Sequence, residues 1–124
     1  MKKTMKGWKV LKRSYGGEFR SCGNVNNRYS KRYGFNEIIT PNLEGSLLFF
    51  FEKYDDAVMF AVITGLIFPC TAHNCVRLSK VAKGINGIEE FWHLKRIKKS
   101  TEKYSMEAPS GTWGAESIVV RERL

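Results

Sequence analysis

Residues 45–70 constrain the fold more than any other stretch of this 124-residue chain. An apolar run, two aspartates, an almost wholly apolar segment, a glycine and a second apolar run follow one another there. Leu47–Phe51 is five apolar residues in a row, the signature of a strand buried on both faces. Asp55 or Asp56 then opens a helix running from about Asp56 to Thr64. Carboxylates suit a helix start because the first N–H groups lack partners and the dipole is positive there. Gly65 fits the position just past a helix end, and Leu66–Cys70 resumes as a strand. Such a block has to be the core.

The flanks are polar and cationic. Residues 1–36 hold ten Lys/Arg against Glu18 alone, and residues 77–124 hold ten against six acids. Residues 37–76 hold five acids against Lys53. The net charge of +9 speaks of partners rather than of fold, and it favours anions. With 43% hydrophobic residues, wholesale disorder is not expected. The length suits one domain over residues 1–124 with a core of its own.

Around the block, Gly7–Arg13 alternates Trp8 and Val10 against lysines, Gly16-Gly17 signals a turn, and Glu18–Cys22 returns as the second strand of a hairpin. Arg28–Phe35 reads as a third, partly exposed strand or an ordered loop. Asn74–Val81 continues the strand of Leu66–Cys70 after a bend. Glu89–Lys99 is open to either a strand or a helix. Its acids come first and its lysines last, which favours a short helix with Phe91 and Leu94 on one side. Ser100–Pro109 reads as a mobile loop, and Ile118–Val120 as a final strand. The predicted fold class is α+β: a small antiparallel sheet packed against one main apolar helix, plus a second short helix.

Three cysteines without a dense framework suit a reducing compartment. Met1–Arg13 has charge but no apolar core of a secretory signal. Ala57–Cys70, about fourteen residues, falls short of the roughly twenty that span a bilayer. The expectation is a cytoplasmic protein with no membrane partner.

The chemistry-bearing motifs favour binding over reaction. Cys70, His73 and Cys75 could offer zinc three donors, with Cys22 or His93 the candidates for a fourth, but the spacing matches no common zinc knuckle. A cysteine nucleophile would need a base held beside it, and nothing local orients His73 or His93. Neither a glycine-rich dinucleotide loop nor a Gly-Lys-Ser/Thr loop is present. No cofactor or catalytic residue is called for.

Anion-binding candidates are more numerous. Phe91 and Trp92 precede Lys95 and Arg96, so rings that stack on bases stand beside cations that neutralise phosphate. One of Phe91 and Trp92 is expected to be exposed, since they cannot easily share a buried face. The cluster Arg28, Tyr29, Lys31, Arg32 and Tyr33 has the same mixed character, and Arg77 adds a further cation. Arg121 and Arg123 flank Glu122 in period two, which would put two guanidiniums on one face, ready for phosphate. The plainer alternatives are a helix with solvated lysines, a charged edge strand and a frayed terminus.

The order of segments resembles a group of small phage-encoded proteins. It begins with the basic strand Trp8-Lys9-Val10-Leu11 and a hairpin ending at Ser21-Cys22. The stretch from Gly45 to Phe51 runs into a helix with Ala57 near its start. Ile67-Phe68-Pro69-Cys70 ends a strand, and Gly111–Ile118 closes the pattern. Within that group the chain resembles the Thoeris anti-defence proteins of phages. It departs from them at Asn36–Leu43 and Gly84–Trp92, which look like insertions, and at Gly114, where a larger residue is expected. The resemblance implies a non-catalytic homo-oligomer that sequesters cyclic ADP-ribose isomers made by bacterial TIR-domain proteins, some members also holding cyclic oligonucleotides. A nucleic-acid-binding phage protein and a protein-inhibiting module are the alternatives that charge alone supports.

Overall fold

The computed structural model describes residues 2–14, 16–21, 31–61, 65–83 and 87–122. Its strands are β1 (Lys2–Arg13), β2 (Phe19–Ser21), β3 (Arg32–Tyr33), β4 (Ile38–Ile39), β5 (Leu48–Phe51), β6 (Leu66–Arg77), β7 (Lys80–Ala82), β8 (Ser105–Glu107) and β9 (Thr112–Val120). The helices are α1 (Tyr54–Ala61) and α2 (Ile88–Arg96). The α+β class holds, with a sheet whose strand pairs are antiparallel.

The sheet curls until it meets itself. β6 pairs with β1 along one edge, from Lys2↔Cys75 to Leu11↔Leu66, and with β9 along the other, from Cys70↔Val120 to Arg77↔Trp113. β5 pairs with β9 over its whole length and with β1 at the single rung Trp8↔Phe51. The circuit β1–β6–β9–β5 therefore closes. Inside it lie Leu11, Phe50, Phe68, Cys70, Ala115 and Ile118, among others, all buried. β2 and β3 extend β1 at its far end, and β4 extends β9.

Closure depends on close backbone approach. A Cβ on Gly7 would sit 2.6 Å from the Phe51 carbonyl oxygen and 2.7 Å from the Phe50 ring, so only glycine fits where β5 crosses β1. Gly114, where the resemblance leads to the expectation of a bulkier residue, is hemmed in by side chains rather than by backbone. A Cβ there would press within 3 Å of the Leu47 and Leu78 side chains.

α1 lies against the outer face of the ring. Ala57 and Ala61, one turn apart, are buried against Val10 and Phe51, while Trp8 meets Tyr54 edge-on at 4.9 Å. The helix begins two residues before Asp56, so Asp55 and Asp56 occupy its first turn rather than its cap. Residues 62–64, where the sequence places its last turn, lie outside the described residues.

The bend expected after Cys70 is a single left-handed residue inside one long strand. Asn74 has φ 53°, and the buried positions slip phase there, from Phe68, Cys70 and Ala72 to Cys75. Two cysteines an odd number apart thus both face the interior.

Residues 78–83 and 87–111 form a cap between β6 and β9. β7 and β8 pair as a two-stranded ribbon, and Glu102–Tyr104 is a 3₁₀ turn. The expectation of a loop over Ser100–Pro109 is corrected: the ribbon supplies ladder partners that a local reading cannot see. α2 does form, but it buries Phe91 and Trp92 together, with Leu94 only half-buried. Adjacent residues stand 100° apart on a helix, and α2 is held from two sides, by Leu43, Leu47 and Phe49 and by Ala82 and Tyr104.

Gly7→Ala is expected to lower the unfolding free energy by about 2–3 kcal/mol, the upper range for overpacking, because the obstruction is backbone. Gly16→Ala, where a Cβ meets nothing within 4 Å, should stay within about 0.5 kcal/mol of the parent in the same urea titrations.

Candidate functional site

Closing the ring at one rung leaves β1 unpaired with β5 on either side of it. The Phe49 carbonyl, one ladder step from the Phe51 carbonyl and pointing the same way, faces this gap. Lys9 fills it: its ammonium donates to the Phe49 oxygen. Lys9 is 6% exposed, so its charge sits inside the protein.

A cavity of about 400 Å³ opens at this gap, between the ring and the cap. Val10, Leu48, Phe49 and Phe51 line it from the ring and Phe60 from α1. Ala82, Ile88, Trp92, Met106 and Pro109 line it from the cap, and residues 41–47 close a third side. Its size suits an organic molecule rather than an ion. Among the described residues, Lys9 and Lys31 are the charged members of this lining, with no Asp or Glu. In such low-dielectric surroundings a charge of one sign reaches further than in water.

Lys9, Ser21, Lys31, Tyr33 and Asn42 supply most of its polar groups. The Lys9 ammonium lies 5.2 Å from the centre of the Tyr33 ring. Ser21 Oγ accepts from the Lys31 N–H at 3.1 Å, leaving the serine proton to be donated elsewhere. Lys31 Nζ donates to Asn42 Oδ1 at 2.8 Å. Phe49 and Trp92, centroids 6.3 Å apart, offer ring surface to the same cavity.

Tyr33 is 3% exposed, and its hydroxyl is buried with no hydrogen-bond partner in acceptable geometry among the described residues. Burial pushes its phenol far above the ordinary value; Ser21 lies close enough to ease that shift, and Cys70 adds to it. The hydroxyl therefore keeps its proton and remains a donor. Cys70, on the ring side of Tyr33, is pushed up to about 12 from 9.0 by burial, although the Lys9 ammonium pulls it down. A thiol so held is not a nucleophile near neutral pH.

Of the residues singled out in the sequence, Lys31, Tyr33 and Trp92 reach this cavity. Phe91, fully buried, packs edge-on against Trp92 in the cap and does not line it. Lys95 and Arg96 stand on the exposed side of α2, Lys95 over the Phe91 ring at 5.9 Å and Arg96 beside His93 Nδ1 at 3.3 Å. Arg77 is exposed at the end of β6, in register with Trp113. Arg121 follows β9 and donates to Asn36 Oδ1 at 3.1 Å, beside a shallow cleft with Lys6, Trp8 and Thr71. Arg28, Tyr29 and Arg123 lie outside the described residues.

Cys70 and Cys75 face the interior, whereas His73 shares a contact with Thr4 Oγ1 at 3.4 Å on a half-buried face. Among the described residues no three His, Cys, Asp or Glu side chains converge as metal ligands would. No helix of the described residues is long and apolar enough to cross a membrane.

Lys9 and Ser21 escape a sequence reading as site residues: lysine alternating with Trp8 and Val10 reads as solvent-facing, and a hairpin serine carries no signal of its own. The signal present was positional: Lys9 shares its face with Met5 and Leu11, both apolar. Comparison with protein-family models, curated proteins and solved structures finds no match to the chain.

The Cys70 thiol links stability to alkaline pH. Folding holds its proton while the unfolded chain releases it above pH 9.0, so stability is full below that value and declines as pH rises toward 12. Between pH 8 and pH 10 the Cys70 share of the loss should be about 1.4 kcal/mol. Urea midpoints at the two pH values should reveal it, and Cys70→Ala should reduce the pH slope by that amount.

Proposed function

We propose that this protein binds and sequesters, without chemical change, a nucleotide-type small molecule in the cavity between ring and cap. Cyclic ADP-ribose isomers are the first class to test, with cyclic oligonucleotides next. The observation that carries the reading is Lys9: a buried ammonium on an aromatic-walled cavity whose lining, among the described residues, has no carboxylate. A phosphate would meet Lys9, and a base would lie along Trp92 and Phe49. Such a division of labour, cation for phosphate and ring for base, is how nucleotides are held without a glycine-rich loop.

The resemblance to phage anti-defence proteins supports the same reading and extends it to a homo-oligomer in the host cytoplasm. A sponge acts by stoichiometry. At about a 100-fold excess of free sites over the dissociation constant, about 99% of the ligand is held. Nothing in that mechanism needs an acid, a base or a metal.

The test is retention. Purified protein is mixed with a panel of cyclic ADP-ribose isomers and cyclic di- and trinucleotides, stripped of free ligand, heat-denatured, and the released molecule identified by mass. Stoichiometric recovery of an intact ligand is the expected outcome. A chemically altered ligand would make the protein an enzyme. Retention of none, with long nucleic acid bound on a steep salt slope instead, would move the function to nucleic-acid binding. Lys9→Met should weaken retention by about 1.5–3 kcal/mol, the range for a charge-assisted hydrogen bond, with the fold checked by circular dichroism. Arg121→Ala, away from the cavity, should leave it unchanged.

A further inference from the structure

Helix α1 leaves an apolar face uncovered. Its buried side holds Ala57 and Ala61, while Tyr54, Val58 and Met59 are 50%, 45% and 79% exposed. Tyr54 and Val58 stand one turn apart, so these side chains form one patch rather than scattered points. Glu52 and Asp55 border it, both exposed and without an ion-pair partner among the described residues. Lys53 is the single base of residues 37–76. On a chain of net charge +9, this is an acidic, apolar spot in a cationic surface.

Its charge selects what can cover it. A second α1 does not fit. Laid antiparallel, each Asp55 would approach the last turn of the other helix, which has no base and carries the negative end of the dipole. Laid parallel, acids would face acids. A basic, apolar surface does fit, and the chain has one of its own. Among the remaining exposed large hydrophobics, Ile38 adjoins Glu37 and Met106 adjoins Glu107. Ile97 differs from both. It is 44% exposed at the end of α2, within residues 93–99, which include Lys95, Arg96, Lys98 and Lys99 and no acid. All four of those cations are exposed.

We infer that the chain associates with a second copy of itself through this pair of surfaces, α1 of one protomer against the basic end of α2 of its partner. Val58 and Met59 are covered there by an Ile97 and the apolar stems of the lysines beside it. Glu52 and Asp55 meet Lys98 and Lys99 at the rim, where opposite charges fix the orientation. Two copies about a two-fold axis make the contact twice, which doubles the area buried and leaves neither surface open. The association goes beyond the cavity reading, since it holds whatever the cavity binds.

Charge exchange tests the pairing, by sedimentation velocity of the ligand-free protein at micromolar concentration. The parent should sediment as a dimer or a larger closed oligomer, and salt should weaken it because the rim charges are exposed. Glu52→Lys with Asp55→Lys should give monomers, as should Lys98→Glu with Lys99→Glu, each with the parent's circular dichroism. An equimolar mixture of the two variants should regain the parent's mass, because each meets its opposite charge on the other. Met59→Ser keeps every charge and should weaken self-association about tenfold through lost apolar burial. A monomeric parent would overturn the inference and leave the α1 face to a basic partner of another sequence. So would charge-reversed variants that stay associated, or a mixture of folded variants that stays monomeric. If a lysine at the helix start unfolds α1, Met59→Ser still decides: association equal to the parent's overturns the inference. Cyclic-nucleotide retention is read separately on the same samples, so failure of one reading does not mask failure of the other.

Discussion

The structure depends on one backbone crossing. β5 meets β1 at the rung Trp8↔Phe51, and that contact turns an open antiparallel sheet into a ring. Nothing larger than Gly7 fits beneath the Phe51 carbonyl. Without the crossing, Leu48 and Phe50 would have no interior to face. Antiparallel sheets otherwise leave edges that invite other chains, and joining two of them is one way to remove that hazard.

The crossing is short, and its shortness creates the cavity. A longer β1–β5 ladder would pair the Phe49 carbonyl with a backbone N–H and leave no room for a side chain. Lys9 takes that place, which explains how an ammonium comes to be buried: it completes a hydrogen-bonding edge that the backbone leaves incomplete. The cap then walls the opening with Ile88, Trp92 and Met106. The cavity is therefore a consequence of how the sheet closes, with the charge built into its floor.

The sequence made the centre of the fold legible and left its closure hidden. Apolar continuity located β5 and β6, the paired aspartates located α1, and Gly16-Gly17 located the turn between β1 and β2. Those signals are local. The pairing of β1 with β6, and of β5 with β1, joins residues far apart, and composition holds no record of it. Hence Lys9 read as a surface lysine although Met5 and Leu11 share its face. The same limit applied in the cap. Phe91 and Trp92 looked like competitors for one buried face because the second wall, formed by Ala82 and Tyr104, comes from segments on both sides of α2 in sequence. Trp92 was legible as a ring near cations, but the cations it faces across the cavity are Lys9 and Lys31, not Lys95 and Arg96 beside it.

The long pairing of β1 has a consequence for how the chain reaches this state. β1 emerges first, yet its partner along one edge is β6, with residues as distant as Lys2 and Cys75 brought together. The ring closes only once β9 has docked between β6 and β5. Little of the interior can form from neighbours in sequence, so the entropy of closing long loops is met before many contacts reward it. Folding should accordingly be slow for a chain of this size. Until β6 arrives, a twelve-residue strand carrying Met5, Val10 and Leu11 waits with an open edge. The lysines spaced along that strand then have a part to play before there is any cavity to charge: they keep the waiting edge from pairing with its copies.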